Sequence, residues 1–292
     1  MVSLPSYNNN SFSKGISNTD YQALINDTSK PMFNRALYGQ YPPGSTIKPV
    51  MAAAGLSEGA ITGNTSLDTP AEIRIGDFVF PDWKDHGMTD IRTAIAESNN
   101  IFFYAIGGGF DKIKGIGINN MKKWWQRFGL GNKSGIDLPG EATGLLPDAD
   151  WKERVIKEPW YLGDTYHAAI GQGDLLVTPI QMVKMISAIA NGGKLLSPQV
   201  VQKITNASGD VVKEFGARIE NEQVASSEII SIVQQGMRKT ITDGSARSIF
   251  TDVGYSVAGK TGTAQFLDNQ KTHAWCECFA PYENPEIAII VM

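Results

Sequence analysis

Cysteine and histidine are scarce in this chain, at 2 and 3 of 292 residues. Cys276 and Cys278 lie two apart in an alternating segment, so both project from the same side of one strand. That separation is at the edge of what disulfide geometry tolerates. Only His273 is near them, too few donors for a metal site, and they read as ordinary thiols. A disulfide scaffold is excluded. Long apolar runs are also missing. The closing stretch Ile287 to Met292 has six residues, against the roughly 20 that a membrane span needs. No charged-then-apolar leader opens the sequence. Positive charge is not in excess: 26 Lys and Arg face 30 Asp and Glu, a net charge of −4. Without a clustered basic face, no nucleic-acid partner is expected. There is no internal repeat, low-complexity tract or long charge run. With 42% hydrophobic and 19% charged residues, the chain has material for a packed core and is not of the disordered class. Glycine is what it has in plenty, 30 residues against an ordinary share of about 7%, which promises many turns.

The segments sort into helices in the middle and strands towards the end. Thr178-Pro179-Ile180-Gln181 is a capping box with proline at the first helical position. Ile180, Val183, Ile186 and Ile189 then recur on one face until Gly192-Gly193 stops them. A second helix is predicted from about Thr89, carrying Ile91, Ile95 and Ile101 up to Gly107-Gly108-Gly109. A third covers Asn119 to Phe128 and a fourth Ser226 to about Lys239. Val200–Thr205 and Val211–Phe215 flank a turn at Asn206–Gly209 and predict a hairpin. Tyr255–Gln265, Thr272–Ala280 and Glu286–Met292 predict an antiparallel meander with short polar loops. Met1–Tyr7 reads as the end of a strand running into a polar loop. The segregation argues α+β. Residues 1–292 are expected to form one domain, with a sheet lobe mainly at 1–40 and 195–292 and a helical lobe mainly at 45–190. Both ends read as lying inside a domain.

Three short motifs could carry chemistry. Ser45-Thr-Ile-Lys48 follows the loop Tyr41-Pro-Pro-Gly44 and precedes the Ala-rich helix Met51–Leu56. Ser45 is therefore predicted at a helix N-terminus, one turn from Lys48. Free N–H groups there can stabilise an oxyanion, and a lysine with a depressed pKa can accept a proton. An ordinary N-cap explains the serine equally well, and Ser11-Phe-Ser-Lys14 repeats the spacing in a polar loop. Ser98-Asn99-Asn100 places poor helix-interior residues inside the second helical stretch, so they are expected to break or cap it. Their hydroxyl and carboxamide can point into one cleft, although Ser6-Tyr-Asn8 has the same spacing. Lys260-Thr261-Gly262-Thr263 is the only Lys-Thr-Gly. Glycine inside a strand marks the approach of another backbone, and a lysine with two hydroxyls suits a carboxylate on a substrate that adds as a strand.

In this order, Ser-x-x-Lys, Ser-x-Asn and Lys-Thr-Gly are the motif set of penicillin-binding proteins and serine β-lactamases. The sequence resembles the transpeptidase domain of a class B penicillin-binding protein of the elongation, penicillin-binding protein 2, type. The match extends through Ser256-Val-Ala-Gly-Lys-Thr-Gly-Thr-Ala-Gln265, Ala169-Ile-Gly-Gln-Gly-Asp174, Thr178-Pro-Ile-Gln-Met182, Gly135-Ile-Asp-Leu-Pro139, Trp160-Tyr-Leu-Gly-Asp164 and His273-Ala-Trp275. The resemblance implies a penicillin-binding/serine β-lactamase-like fold: an antiparallel sheet flanked by helices, beside an all-helical lobe. It also implies a strand before this segment, a closing helix after it, and an N-terminal anchor with a stalk, none of which the sequence shows. By the same resemblance Ser45 is the acylated nucleophile and Lys48 its general base. Ser98 and Asn100 relay the proton and hold the acyl peptide. Lys260, Thr261, Gly262 and Thr263 bind the substrate carboxylate, with the N–H groups of Ser45 and Thr263 as the oxyanion hole. The implied substrate is the D-Ala-D-Ala end of a peptidoglycan stem peptide, transferred to a neighbouring stem's amine, and β-lactam antibiotics imitate it. A SEDS-family lipid-II polymerase is the implied partner, and the outer face of the bacterial cytoplasmic membrane the implied location. No cofactor is expected.

Other readings are weaker. The histidines read as a strand opener (His273) and loop residues (His86, His167), with no Gly-x-Ser-x-Gly elbow to join them; Gly254-Tyr-Ser256 leads a strand. Penicillin-binding protein 2 relatives can carry zinc in the region matching Asp68, Asp82 and His86. No cysteine lies nearby to complete a tetrahedral set, and the segment reads as a polar loop with no metal assigned. Gly129-x-Gly131 follows a helix and misses the dinucleotide fingerprint. No Glu-x-x-Leu-Asn or Tyr-Gly-Asn is present to activate a deacylating water, which argues against a β-lactamase. A D,D-carboxypeptidase shares the motifs. A non-catalytic penicillin sensor would have lost Asn100 or a lysine. An inactive fragment is the remaining alternative.

Overall fold

The computed structural model describes residues 1–266 and 271–292. The polar loop expected between the first two strands of the meander includes 267–270, outside the described residues. Met1–Tyr7 forms no strand; Pro5 offers no N–H to a ladder, and among the described residues no strand pairs with it. The helix α1 (Asn18–Asn26) follows instead, started by Ser17, whose hydroxyl accepts from Asp20 N. A 3₁₀ turn at Gly44–Ile47 runs straight into α2 (Lys48–Ser57). Four short strands come next, β1 (Ser66–Thr69), β2 (Glu72–Ile75), β3 (Phe78–Pro81) and β4 (Gly87–Asp90). β1 pairs with β4 and β2 with β3, both antiparallel.

The predicted second helix is two, α3 (Ile91–Ala96) and α4 (Asn100–Gly108). Ser98 between them has φ +57°, a left-handed conformation that costs a residue with a Cβ about 1–3 kcal/mol unless its surroundings hold it. Asn99 caps α4 by accepting from Phe102 N at 2.7 Å. Residues Ile101 to Gly107 are all buried, and a helix apolar on every side belongs at the centre of a body. α2, α5 (Gly117–Arg127) and α7 (Leu162–Ala169) pack round it. α6 (Ala149–Val155) lies before α7. His167, expected in a loop, is in the last turn of α7. α8 (Pro179–Ala190) has both halves of its predicted capping box.

β5 (Leu195–Ser197) pairs with β8 (Arg218–Asn221) around the hairpin of β6 (Lys203–Thr205) and β7 (Val211–Glu214). After α9 (Ser227–Thr242), the chain ends in β9 (Ala258–Phe266), β10 (Lys271–Ala280) and β11 (Ile287–Val291). These form the predicted meander, an antiparallel sheet in the order β11-β10-β9. α8 packs on β10 and β11, α9 on β9, and the 44–47 turn on β9 and β10. One apolar core runs from α2 and α4 through α8 to Trp275 and Phe279 of the sheet. Among the described residues no helix is long and apolar enough to cross a membrane. Cys276 and Cys278 are free and partly buried. Burial pushes both thiols up, Cys278 to about 11.

Candidate active site

Pro42-Pro43-Gly44 brings the chain to the edge of β9 and turns it into α2. Trp275 of β10 donates from Nε1 to Pro42 O at 3.0 Å, and Thr46 Oγ1 donates to Pro43 O at 2.7 Å. Gly44 has φ +54°, and a Cβ on it would sit 2.6 Å from Thr263 O. Gly262 closes on the same turn: a Cβ there would lie 3.0 Å from both Pro43 O and Thr46 N. The backbone that Gly262 admits is therefore this turn. Ser45 is half-buried at its second position, and its hydroxyl makes no hydrogen bond among the described residues.

Lys48, a turn on, is completely buried. Its Nζ donates to Ser98 O at 2.7 Å and Asn100 Oδ1 at 2.8 Å, with the Ser98 hydroxyl at 3.4 Å. Burial holds this lysine well below its ordinary pKa; Lys260 lowers it further and Asp82 partly offsets both. A neutral amine has two N–H bonds, and two carbonyl oxygens stand ready to take them. The lone pair is left over, which is what a proton acceptor needs.

The left-handed Ser98 aims its carbonyl and hydroxyl at Lys48, and the loop is braced from behind. Asp82 Oδ2 accepts from Asn100 N at 2.6 Å and Ile101 N at 3.1 Å, placing a carboxylate at the N-terminus of α4. Asn99 Nδ2 donates to Thr69 Oγ1 at 2.8 Å, tying the loop to β1. His86 Nε2 lies 3.6 Å from Asp82 Oδ1, both side chains sealed from solvent, and burial lowers the imidazole pKa. The zinc arrangement that the resemblance allows does not fit. Asp68 is exposed, Asp82 is committed to backbone, and among the described residues no three His, Cys, Asp or Glu side chains converge.

The Lys-Thr-Gly-Thr segment lies in β9, the edge strand on this side of the sheet. Lys260 is buried, donating to Thr261 O at 2.7 Å. Burial pulls its pKa down to about 7 against the opposing pull of Glu277. Gln172 bridges the free edge, donating from Nε2 to Thr263 O at 3.2 Å and accepting from Gln265 N at 3.3 Å. Thr263 O thus points away from β10, and by strand geometry its N–H does too. Ser245, beyond α9, comes within 3.5 Å of Thr261 Oγ1. Ser45, Lys48, Ser98, Asn100 and Lys260 to Thr263 are thus gathered from three chain segments. The motifs did not single out Gln172, Ser245 or Glu277, and Asp82 was considered only as a metal ligand. Gln172 stood inside a quoted stretch, and the period of β10 puts Glu277 on the buried face with Trp275 and Phe279.

The Ser45 turn, the buried amine of Lys48 on Ser98 and Asn100, and the edge strand with Lys-Thr-Gly adjoin one another. The penicillin-binding protein transpeptidase domain model matches residues 1–292. The chain belongs to this family. The transpeptidase domain is 38% identical over its whole length to the peptidoglycan D,D-transpeptidase MrdA of Salmonella typhimurium, of which it covers 49%. It overlays the penicillin-binding protein PBP2 of Helicobacter pylori with a TM-score of 0.83 at 34% identity, over 99% of this chain and 52% of that one. A third neighbour comes from a structure described as structural coordination of polymerization and crosslinking by a peptidoglycan synthase complex. Its TM-score is 0.85 at 33% identity, covering 99% of this chain and 48% of that one. The domain thus spans about half the length of the relatives it matches. Its fold is the penicillin-binding transpeptidase fold, mixed helix and antiparallel sheet.

Proposed function

We propose that the chain is the catalytic domain of a peptidoglycan D,D-transpeptidase. The observation that carries this is Lys48, a fully buried amine whose two N–H bonds are matched by Ser98 O and Asn100 Oδ1. Ser45 Oγ attacks the carbonyl carbon of the D-Ala-D-Ala peptide bond while its proton passes to Lys48 Nζ. The oxyanion forms between the N–H groups of Ser45, at the start of the turn, and Thr263, on the open strand edge. The C–N bond breaks, and the leaving D-alanine nitrogen takes the proton held on Lys48 Nζ, relayed through the Ser98 hydroxyl, which leaves Lys48 neutral again. The amine of a neighbouring stem then attacks the Ser45 ester, Lys48 receives the amine's proton, and Ser45 Oγ is reprotonated as the cross-link is released. Lys260, with Thr261 and Thr263, holds the terminal carboxylate of the donor, and Asn100 its amide.

The neighbour drawn from a peptidoglycan synthase complex that coordinates polymerization and crosslinking supports a polymerase partner. That this partner is a SEDS-family lipid-II polymerase, and that the pair acts on the outer face of the cytoplasmic membrane, we infer from the sequence resemblance alone. Intact mass after incubation with benzylpenicillin tests the chemistry. A single antibiotic adduct that is absent in Ser45→Ala is expected. No adduct on a cooperatively melting chain would overturn the reading. Incubation with stem peptide and an acceptor amine should give a cross-linked dimer. Release of D-alanine with no dimer would make the domain a carboxypeptidase.

A further inference from the structure

Glu277 takes no part in the chemistry above, yet it is among the most deeply buried charged side chains in the chain, with no exposed surface. It stands directly across the ladder from Lys260, so the two side chains leave the sheet on the same face. Neither Glu277 oxygen finds a hydrogen-bond donor among the described residues. A carboxyl sealed from water with neither oxygen satisfied is costly to keep. The residue opposite on its other side, Ile290 of β11, is apolar.

The charged groups on the packed elements are already engaged. Lys184 of α8 is paired with Glu220 at 2.7 Å. On α9, Arg238 donates to Val257 O at 2.7 Å and Lys239 to Thr93 Oγ1 at 2.9 Å. Lys48 is turned to Ser98 and Asn100. The neighbouring thiols of Cys276 and Cys278 are held protonated by burial. Lys260 is the one cation opposite Glu277 in the ladder.

We propose that Glu277 is the positioning residue of Lys260, an internal counter-group that touches no substrate and keeps the lysine a cation over a wider pH range than its burial alone would permit. This rests on the role of Lys260 given under Proposed function. Between them the two side chains bind two protons at low pH. Loss of the first leaves the pair able to exist as ammonium and carboxylate, and the ammonium disappears only with the second. A glutamine at 277 removes that intermediate state, so the lysine surrenders its charge with the first proton lost. Burial pushes Glu277 well above the ordinary carboxylate range and Lys260 pulls it back, in keeping with a pair that titrates as a unit.

The test is the rate of benzylpenicillin acylation, read by intact mass between about pH 6 and pH 10, for the wild type, Glu277→Gln and Glu277→Asp. The antibiotic's carboxylate reports the state of Lys260. In Glu277→Gln the basic limb should fall about one pH unit lower or more, a roughly tenfold loss on that limb carried by apparent affinity and not by the maximal acylation rate. Glu277→Asp should restore part of the limb. A cooperatively folded Glu277→Gln with an unmoved limb, or an equal loss at every pH, overturns the assignment. So does an aspartate that performs worse than glutamine, as packing alone would require. Unfolding of both variants would make Glu277 a structural residue and likewise overturn it. A wild type that takes an adduct at Ser45 while the variants show no shift sinks only this inference. A wild type that takes none sinks the proposed chemistry and this inference together.

Discussion

Lys48 and Lys260 are the same amino acid in nearly the same burial, and the proposed chemistry asks opposite things of them. Lys48 must be an amine when Ser45 attacks, and Lys260 must be an ammonium when a carboxylate docks. Their surroundings separate the two. Lys48 faces two carbonyl oxygens and the repulsion of Lys260. Lys260 faces a carbonyl and the attraction of Glu277. Acylation should therefore rise with pH as Lys48 loses its proton and fall as Lys260 loses its own. Replacing Lys48 by glutamine keeps an N–H donor for Ser98 O but removes the proton acceptor. Acylation of Ser45 by benzylpenicillin should then drop about 10²- to 10⁴-fold, the usual worth of a general base, with the chain still folded. A Lys48→Gln chain that acylates within a factor of about three of the wild type, by quenched-flow mass spectrometry, would remove Lys48 from that role.

The α3–α4 break is an element-level device: two short helices meet at a left-handed serine so that one carbonyl, one hydroxyl and one carboxamide point at Lys48. Asp82 holds the second helix by its first two N–H groups. Asp82→Asn leaves one accepting oxygen but no charge at the helix end, which should cost about 1 kcal/mol of stability by urea melt. It should also slow acylation about tenfold, because Asn100 shifts with its helix. Unchanged acylation in a variant with the expected loss of stability would confine Asp82 to a structural cap. The break was legible in Ser98-Asn99-Asn100, because serine and asparagine are poor interior residues; the hand of Ser98 and the reach of Asp82 were not, because both depend on a hairpin brought in from 66–90. β1 to β4 escaped notice for a related reason. Each is four residues long, too short for an alternating pattern to rise above Thr, Asp and Gly. α8 and the β9–β11 meander were readable because capping box, proline and period agree locally. Met1–Tyr7 misled because an extended, apolar-edged stretch becomes a strand only beside a partner. His167 was read into a loop because the N-cap of α7 is a tyrosine, Tyr161, which offers no capping side chain; only Asp164 reaches back to its N–H.

At the scale of the whole molecule, the helical body and the terminal sheet meet where a turn at 42–47 lies against β9, and Lys48 and Lys260 are both buried at that seam. This is an expensive arrangement for stability, and pH exposes the cost. In the folded chain burial holds Lys48 well below its ordinary pKa, whereas in the unfolded chain it titrates near 10.4. Between those two values the unfolded state binds the extra proton, so stability contributed by this site rises with pH and is lowest on the acid side. Lys260, pulled to about 7, acts in the same direction from neutral pH upward. Glu277 opposes them, since a carboxyl raised by burial binds its proton in the folded chain over a range where the unfolded chain has lost it. A difference measurement isolates Lys48 from the rest. Lys48→Gln should melt at higher temperature than the wild type near pH 7. The gap should close as pH rises towards 10, by up to about 1.4 kcal/mol per pH unit inside the window. Paired thermal melts of the two chains across that range check it. A gap that stays constant would mean that Lys48 is protonated in the folded chain. Its lone pair would then be unavailable to Ser45, and the proton would have to leave the serine by another route. A gap that closes ties the instability of this seam to the amine that makes it reactive.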